Sequence, residues 1–267
     1  MRIIFWNTGK NARINPYIRD IIIDNKVDIA ILAEYQADIS NLKDMLFAYG
    51  ISMNQYLSPG CDRITLLGRY ENVKPAFQNT YCSLQVIRDK YILGSLHLPS
   101  KMYCDRRKKD IIIREIIYEI QALERTLLCE NTIITGDFNE NPYESGCLAA
   151  DTFHSLPCYT ETERKYREVL RNRFKMFYNP MWNLFGDFSF PPGTFYYNGN
   201  NAENPFWNIF DQVIIRPCLR ENFIDSELKI IYKAGEECLA DKKNNRPCKK
   251  ISDHLPIVFE VKEELLS

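Results

Sequence analysis

Apolar positions in the first 50 residues alternate between continuous runs and helical stripes. Residues 2–7 and 27–34 are almost entirely apolar, which predicts two buried strands. Between them, Asn15-Pro16 resembles a helix cap followed by proline in the first turn, and apolar residues then recur at helical spacing. A second helix is predicted over residues 38–48, so the chain begins with alternating strands and helices.

The pattern changes over residues 52–98, where short apolar runs follow one another with little helix between them. Four strands are predicted there, at 63–69, 72–77, 81–88 and 91–98, in an order typical of an antiparallel meander. A long amphipathic helix is predicted over 105–128, because isoleucine and leucine recur on one of its faces. Further strands are predicted at 131–136, 209–215, 226–232 and 254–261.

Residues 140–205 are rich in aromatic residues, Asn and Pro and show little regular periodicity. One basic helix is predicted near residues 161–176. We interpret the segment as a loop-and-helix insertion at about 140–205 in a single domain spanning 1–267. Both halves of the chain alternate strands with helices, which is compatible with an α/β fold of two sheets packed face to face with helices outside.

The composition is that of an ordinary globular protein, with 45% hydrophobic and 26% charged residues. The net charge of −1 excludes a general attraction to nucleic acid or acidic membranes, so any such attraction must come from local patches. The nine cysteines are scattered, without a CxxC pair or a Cys/His zinc spacing, which indicates reduced thiols. No apolar run approaches the ~20 residues that span a membrane. The chain starts with a strand rather than a signal peptide, and we expect a cytoplasmic protein.

Polar residues stand at or near one end of six apolar stretches. They are Asn7, Glu34, His97, Asp137 with Asn139, Asp211, and the run Ser252-Asp253-His254. Strand ends on a rigid sheet are where α/β enzymes place their chemistry. A carboxylate beside an imidazole at the start of a strand, as in Asp253-His254, is a common way to build a phosphate-cleaving site.

Several of these residues also have a purely structural interpretation. Glu34 taken alone is more simply a solvated carboxylate at a loop start, and His97 is more simply a structural histidine. Asp137 could end its strand in an Asx turn. The functional interpretation is that Gly136 permits a close backbone approach, while Asp137 and Asn139 share one face of an extended segment and point at a ligand.

Asp211 lies within an apolar run, where a charge needs a partner because burial penalises it. His254 is the natural candidate, since an Asp–His hydrogen bond fixes the tautomer and raises the pKa of the imidazole. A structural buried ion pair is the alternative. His154, in the irregular segment, is given no role.

Together these positions supply hard oxygen ligands and two imidazoles. Such oxygens suit Mg²⁺, with Mn²⁺ as a second candidate, because Mg²⁺ binds one or two carboxylates together with substrate phosphate and water. The sequence has no Walker loop, no GxGxxG motif and no GxSxG elbow. It therefore predicts hydrolysis or phosphoryl transfer without a nucleotide-binding loop.

In this order the motifs resemble the endonuclease/exonuclease/phosphatase superfamily, which has the deoxyribonuclease I-like fold. The motifs that carry the resemblance are Asn7, Glu34, His97, Gly136-Asp137-Phe138-Asn139, Asp211 and Ser252-Asp253-His254, and it runs from residue 2 to about 261. The resemblance implies a four-layer α/β/β/α sandwich of two mixed sheets with outer helices. It also implies metal-dependent cleavage of phosphoester bonds.

The resemblance implies a role for each matching residue. Glu34 would be the principal Mg²⁺ ligand, supported by Asn7 and Asp253. Asp137 would orient or deprotonate the attacking water, and Asn139 would bind the scissile phosphate or help to place that water.

The two histidines would act on the phosphate itself. His254, oriented by Asp211, would donate to a phosphate oxygen, and His97 would bind phosphate or assist the leaving oxygen. Two departures from the family pattern stand out. Gly9 occupies a position where many members carry an acid, and His97 stands where abasic-site endonucleases carry Tyr, which weakens a DNA-repair assignment.

Basic residues near these motifs are candidates for substrate contacts. Lys101, Arg106 and Arg107 follow His97 and are best placed to bind neighbouring phosphates, although any basic cluster could simply be a solvated face. Other clusters lie at 164–175 and 242–250. The function favoured by the two histidines and the basic loops is a nuclease acting on DNA or RNA. A phosphatase or phosphodiesterase for a small or lipid phosphate, favoured by the near-neutral charge, and a catalytically inactive binding module stay open.

Overall fold

Helices form a minor part of this computed structural model, which describes residues 1–200, 202–241 and 246–263. The α-helices among these residues are α1 (Asn15–Asp24), α2 (Ile39–Phe47), α3 (Arg106–Leu127), α4 (Ser145–Leu148) and α5 (Tyr159–Thr162). Short 3-10 helices lie at Pro180–Leu184, Pro217–Leu219 and Asp225–Glu227. None of the described helices is long and apolar enough to cross a membrane.

Strands dominate the same residues, and many of them are short. In chain order they are β1 (Arg2–Asn7), β2 (Ile29–Ala33), β3 (Asn54–Tyr56), β4 (Ile64–Gly68), β5 (Val73–Asn79), β6 (Cys82–Ile87), β7 (Tyr91–His97), β8 (Thr132–Asp137), β9 (Ser155–Leu156), β10 (Tyr166–Val169), β11 (Asn172–Lys175), β12 (Phe177–Tyr178), β13 (Phe195–Tyr196), β14 (Trp207–Asn208), β15 (Asp211–Ile215), β16 (Lys229–Ile230), β17 (Lys233–Ala234), β18 (Glu237–Cys238), β19 (Ala240–Asp241), β20 (Arg246–Pro247) and β21 (Ile257–Glu260).

Two large sheets organise these strands. The first has the order β16-β21-β1-β2-β4-β3, and the second has the order β5-β6-β7-β8-β15-β12-β9. Each sheet is mixed, since β1 runs parallel to β2 and β7 runs parallel to β8, whereas most other neighbours are antiparallel. The predicted α/β class with two mixed sheets is confirmed, and the four-layer order stays a prediction.

The central strand β8 of the second sheet is buried on both faces. Ile133 belongs to the same hydrophobic cluster as Ile3 of the first sheet, whereas Ile134 packs in a second cluster with Ile116 and Ile120 of α3. Successive side chains of a strand point to opposite faces, so a slip of one residue would exchange the two clusters. Burial therefore fixes the register of β8, and with it the position of Asp137 at its end.

The predicted basic helix near 161–176 is wrong. After the single turn of α5, the chain forms an antiparallel hairpin of β10 and β11 in which Glu168 lies opposite Arg173. Leu170 and Arg171 at its tip have φ angles of 50° and 64°, the geometry of a two-residue hairpin turn. The segment lacks the apolar stripe of a packed helix, and opposite charges across the strands stabilise the hairpin instead.

The other predicted strands and helices correspond to observed ones, with small shifts at their ends. The predicted meander is confirmed only for β5, β6 and β7, because β4 pairs with β2 and β3 in the first sheet. The helix predicted over 105–128 is α3, and the strand predicted over 131–136 is β8, which extends by one residue to include Asp137. The strand predicted over 226–232 shrinks to β16 because a 3-10 helix occupies Asp225–Glu227. Within 140–205, β9 and β12 join the edge of the second sheet.

Candidate active site

The pairing of β7, β8 and β15 brings three of the predicted residues together at the ends of these strands in the second sheet. His97 lies opposite Asp137 in the parallel pair β7–β8, and Asp211 lies opposite Asp137 in the antiparallel pair β8–β15. The predicted close approach at Gly136 is present, since a Cβ there would collide with the backbone of Leu96. Asn7, at the end of β1, reaches across from the first sheet and donates from Nδ2 to Oδ2 of Asp137 over 2.9 Å. The site therefore lies where the ends of the two sheets meet.

His254 and Asp211 form a buried pair. Nδ1–H of His254 donates to Oδ2 of Asp211 over 2.8 Å, which directs Nε2 toward Asp137 at 3.9 Å from Oδ2. Burial disfavours the imidazolium, but the carboxylates of Asp211 and Asp137 outweigh it and raise the pKa of His254 to about 10. This imidazole is therefore a cationic hydrogen-bond donor at neutral pH.

The polypeptide around His254 leaves its ring little freedom. The indole Nε1 of Trp6 donates to the carbonyl oxygen of His254 over 3.0 Å, and the backbone N–H of His254 donates to Oγ of Ser252 over 3.1 Å. The ring of Phe195 packs against the imidazole with the centroids 4.7 Å apart. Thr194 accepts the backbone N–H of Asp211 over 3.1 Å, which holds the partner carboxylate in place.

Asp137 is the centre of the arrangement. Its Oδ2 lies 3.9 Å from Nε2 of both His97 and His254, and its Oδ1 accepts the backbone N–H of Asn139 over 2.8 Å. Burial raises the pKa of this carboxyl, against the opposing positive charge of His254, and the nearby Asp211 raises it further. A carboxylate with a raised pKa is a better proton acceptor once it is ionised.

His97 has the opposite electrostatic character to His254. Its Nε2 lies 3.7 Å from Oε1 of Glu34, but burial lowers the pKa of the imidazole despite the attraction of Asp137. The positive charges of Arg63 and His254 lower it further. The site thus combines one cationic and one neutral imidazole on either side of a single carboxylate.

Glu34 joins this group from the loop after β2. It has a φ of 51°, it is 27% exposed, and its Oε1 also lies 4.0 Å from Nζ of Lys10. Oδ1 of Asn7 accepts the N–H of Gly9 over 3.1 Å, and a Cβ on Gly9 would lie 3.4 Å from Oδ1 of Asp253. The loop of Asn7 and Gly9 therefore lies beside both Asp137 and Asp253. His97 lies between Glu34 and Asp137, since its Nε2 is 3.7 Å from Oε1 of Glu34 and 3.9 Å from Oδ2 of Asp137.

The donor atoms fit a hard divalent cation. The predicted metal ligands Glu34, Asn7 and Asp253 carry carboxylate and amide oxygens, the ligand type that Mg²⁺ takes in proteins. Asp137, Asp211 and His254 also have ligand atoms within 4.8 Å of one another. The hydrogen bond between His254 and Asp211 already occupies Nδ1 of the imidazole.

The prediction of an extended segment from Asp137 to Asn139 is wrong. Asn139 has a left-handed φ of 48°, and its backbone N–H turns back to the Asp137 carboxylate, which is the Asx-turn geometry of the alternative interpretation. The side chain of Asn139 donates to the carbonyl oxygen of Leu98 over 2.9 Å. Its role toward phosphate stays a prediction.

The structure separates the three basic residues predicted to bind substrate. Lys101 forms an ion pair with Glu144 and lies 5.9 Å from the ring centroid of Phe210. Arg106 forms ion pairs with Asp110 and Glu140, so it is committed to contacts within the protein.

Arg107, the third of these residues, is exposed on α3. Another basic cluster, at 242–250, is only partly described, because Lys242 and Lys243 lie outside the described residues. Of that cluster, Arg246 stacks over the ring of Tyr196, 4.3 Å from its centroid.

A cavity of about 650 Å³ lies next to Asn139 and to Phe195, the ring that packs against His254. Asn139 and Phe195 form the side nearest to the site, and Tyr143, Tyr197 and Phe210 supply further aromatic walls. The rings of Phe195 and Phe210 stack with their centroids 5.3 Å apart. The cavity therefore offers apolar ring faces next to His254.

The sequence analysis missed several residues that support the site. Thr194 and Phe195 lie in the irregular segment, where no periodicity or motif marks them. Lys109 is buried beneath Asn139, although in the sequence it belongs to the basic cluster after His97 that was expected to contact phosphates or solvent. Its spacing of four residues before Ile113, on the buried stripe of α3, is a signal that could have found it.

Comparisons with known proteins identify the fold. No family model matches the chain, and no curated protein matches its sequence. Solved structures do match it over nearly its whole length. One is a 3′ phosphatase, NExo, from Neisseria bound to a product DNA hairpin, with 14% sequence identity, a TM-score of 0.56 and coverage of 98% of this chain and 100% of that chain.

Two further structures are similar. The AP endonuclease from Archaeoglobus fulgidus has 15% identity, a TM-score of 0.51 and coverage of 98% of this chain and 100% of that chain. The endonuclease domain of TRAS1, a telomere-specific non-LTR retrotransposon, has 12% identity, a TM-score of 0.54 and coverage of 98% and 97%. The chain therefore shares the fold of these proteins, the deoxyribonuclease I-like fold.

Proposed function

We propose that the protein is a divalent-metal-dependent phosphoester hydrolase, and specifically a nuclease that cleaves phosphodiester bonds of DNA or RNA. The observation that carries this proposal is the convergence of Glu34, His97, Asp137 and the His254–Asp211 pair within a few ångströms. These side chains come from five separate parts of the sequence. A base, a cationic donor and a metal ligand side by side are what hydrolysis of a phosphate ester requires.

The side chains divide the work by their charge. Asp137 orients the attacking water and accepts its proton, since its Oδ2 faces the centre of the site between the two histidines. The imidazolium of His254 donates from Nε2 to a phosphate oxygen as negative charge builds up there. Donors that are already oriented toward developing charge contribute most to catalysis. His97, which is neutral, contacts the phosphate or the leaving oxygen.

Mg²⁺, or Mn²⁺, is the proposed metal, and Glu34, Asn7 and Asp253 would hold it. A bound divalent ion supplies charge that stabilises the phosphate oxygens during the reaction. Gly9 leaves the metal with one carboxylate fewer than many members of the superfamily supply. The oxygen-only donor set favours a hard cation over zinc.

A nucleic acid is the proposed substrate class, supported by the aromatic cavity beside His254. Its volume of about 650 Å³ and its stacked rings suit a nucleoside next to the scissile phosphate. The proposed contacts to neighbouring phosphates are Lys101, which lines this cavity, and Arg107, which is exposed on α3. Arg106 is a weaker candidate than the sequence indicated because it pairs with Glu140. We propose a cytoplasmic location, supported by nine free thiols.

The test is hydrolysis by the purified protein with Mg²⁺ or Mn²⁺ of labelled single-stranded DNA, duplex DNA, RNA and a phosphoinositide panel. His254→Ala is the blank. We expect metal-dependent cleavage of at least one nucleic acid, lost on addition of EDTA. No turnover above the blank on any of these substrates would overturn the proposal in favour of a binding module.

A phosphatase is the second candidate, and one comparison favours it specifically. The Neisseria protein of the same fold is a 3′ phosphatase that holds a DNA hairpin product. An oligonucleotide with a 3′-phosphate distinguishes the two activities, because a phosphatase releases inorganic phosphate and leaves the chain length unchanged. Salt dependence separates a nucleic acid substrate from a small phosphate ester. Binding along a nucleic acid backbone weakens steeply as salt rises, whereas binding of a small phosphate ester weakens less.

A further inference from the structure

Lys109 lies beneath the turn that carries the proposed catalytic base. It is 2% exposed and continues the buried stripe of α3 that Ile113, Ile116 and Ile120 form. The neighbouring Lys108 has a side chain that is 74% exposed. A lysine is rarely buried to this extent without a specific partner.

The ammonium of Lys109 has two partners. Nζ donates to the carbonyl oxygen of Asn139 over 2.9 Å and lies 3.4 Å from Oε1 of Glu140. Glu140 is also buried, pairs with Arg106 and accepts the N–H of Gly146 over 2.8 Å. Glu140 thus has partners other than Lys109, namely Arg106 and the N–H of Gly146. The hydrogen bond to the carbonyl of Asn139 joins Lys109 directly to the turn that follows Asp137.

Asn139 is held at both ends of its backbone. Its carbonyl accepts from Lys109, and its N–H donates to Oδ1 of Asp137 over 2.8 Å. A left-handed residue costs about 1–2 kcal/mol in general, and Asn tolerates that geometry best after Gly. The hydrogen bonds to the carbonyl and to the N–H of Asn139 therefore stabilise the left-handed turn that directs this N–H to the carboxylate of Asp137.

We propose that Lys109 is a positioning residue for the hydrolysis, acting through the backbone of Asn139 on the carboxylate of Asp137. This inference rests on the proposed function. By holding the Asn139 carbonyl, Lys109 keeps the Asn139 N–H on Oδ1 of Asp137, which leaves Oδ2 facing the two histidines. Misplacement of a reacting group by about 1 Å can cost 10²-fold in rate.

The alternative is that Lys109 only neutralises the buried Glu140. The two roles make different predictions for a variant in which both charges are removed. Lys109→Met alone leaves the Glu140 carboxylate with Arg106 as its remaining close cation, whereas Lys109→Met with Glu140→Gln removes the buried pair. If the ion pair is the whole role, the double variant recovers both stability and rate.

The activity test compares wild type, Lys109→Met, the double variant and Lys108→Met, with a labelled oligonucleotide and Mg²⁺. We expect kcat to fall about 10²-fold in Lys109→Met with KM within twofold, because the base is misplaced while substrate contacts remain. The double variant should recover thermal stability but not kcat. Lys108→Met, on the same helix, should match wild type.

A second readout is independent of turnover. The backbone amide of Asn139 should change its NMR shift and exchange faster with solvent in Lys109→Met and in the double variant. Wild-type kcat in Lys109→Met, recovery of kcat in the double variant, or an unchanged Asn139 amide would each overturn the inference. If the wild-type protein cleaves nothing, the proposed function fails, and the amide measurement still decides the role of Lys109.

Discussion

The Nδ1 atom of His254 lies 2.8 Å from Oδ2 of Asp211, and both side chains are buried. Asp211 thereby fixes the tautomer and the orientation of the ring, and it contributes to the raised pKa of the imidazole. Its own backbone N–H is held by Thr194. In the proposed mechanism the pair therefore acts as a preorganised cationic donor rather than as a general base.

Asp211→Asn should lower the rate without unfolding the protein. The amide is nearly isosteric with the carboxylate but supplies no negative charge, so the pKa of His254 falls. We expect kcat to drop by about 10²–10³-fold, the usual cost of an oriented donor. Steady-state kinetics with circular dichroism would measure this, and Asp44→Asn, exposed on α2, is a matched control. A rate within threefold of wild type would contradict the assigned role.

Glu34→Gln should weaken the response to metal. The amide keeps one oxygen and loses the charge that attracts a divalent ion, so the Mg²⁺ concentration for half-maximal activity should rise at least about tenfold. Titration of activity with Mg²⁺ measures the shift, and isothermal titration calorimetry gives binding without turnover. Glu71→Gln, an exposed carboxylate outside this group, serves as control. An unchanged midpoint would remove Glu34 from the proposed ligands.

His154 should make the protein less stable as the pH falls. Burial, helped by the positive charge of Arg167, lowers the pKa of His154 to about 4, below the value near 6.5 of an unfolded chain. Between these two values the unfolded chain binds a proton that the folded protein does not. The free energy of unfolding therefore falls as the pH is lowered from about 6.5 to about 4.

His154→Asn removes this titration and keeps a residue that tolerates the φ of 48°. The difference in slope between wild type and variant should approach about 1.4 kcal/mol per pH unit between the two pKa values. Urea unfolding at several pH values measures it. Parallel curves for the two proteins would show that His154 titrates normally in the folded state.

Glu124 should contribute to stability rather than to activity. Its carboxylate accepts from Arg216 over 2.7 Å and from Lys175 over 2.6 Å, and all three side chains are at most 9% exposed. Glu124→Ala would leave the buried Arg216 without its carboxylate partner and Lys175 with Glu130 alone. Removing one partner of a buried ion pair typically costs about 3–5 kcal/mol. Denaturant unfolding measures the loss. Glu115→Ala, exposed on the same helix, should stay within about 0.5 kcal/mol of wild type.

The candidate site was predictable to the extent that it lies at strand ends. Buried strands have a strong apolar pattern, so the sequence alone places Asn7, His97 and Asp137 at the ends of their strands. The Asp211–His254 pair followed from the cost of a charge in an apolar run. Local pattern was sufficient in these cases because the decisive interaction is burial of the strand itself.

The sequence did not reveal contacts that depend on distant parts of the chain. Phe195 lies against His254 because the β13–β14 hairpin folds back, and no local pattern encodes that return. The left-handed turn at Asn139 depends partly on Lys109, thirty residues earlier. The hairpin of β10 and β11 was misread because its many charges suit an exposed helix and an exposed hairpin equally well.

The most direct measurement is the rate of Mg²⁺-dependent oligonucleotide cleavage by wild type, Asp137→Ala and His254→Ala, each verified as folded. Since both side chains share one centre with Glu34 and His97, we predict that the wild type cleaves and that each substitution abolishes turnover. Equal cleavage by all three proteins would contradict a common phosphoester site at the meeting edge of the two sheets.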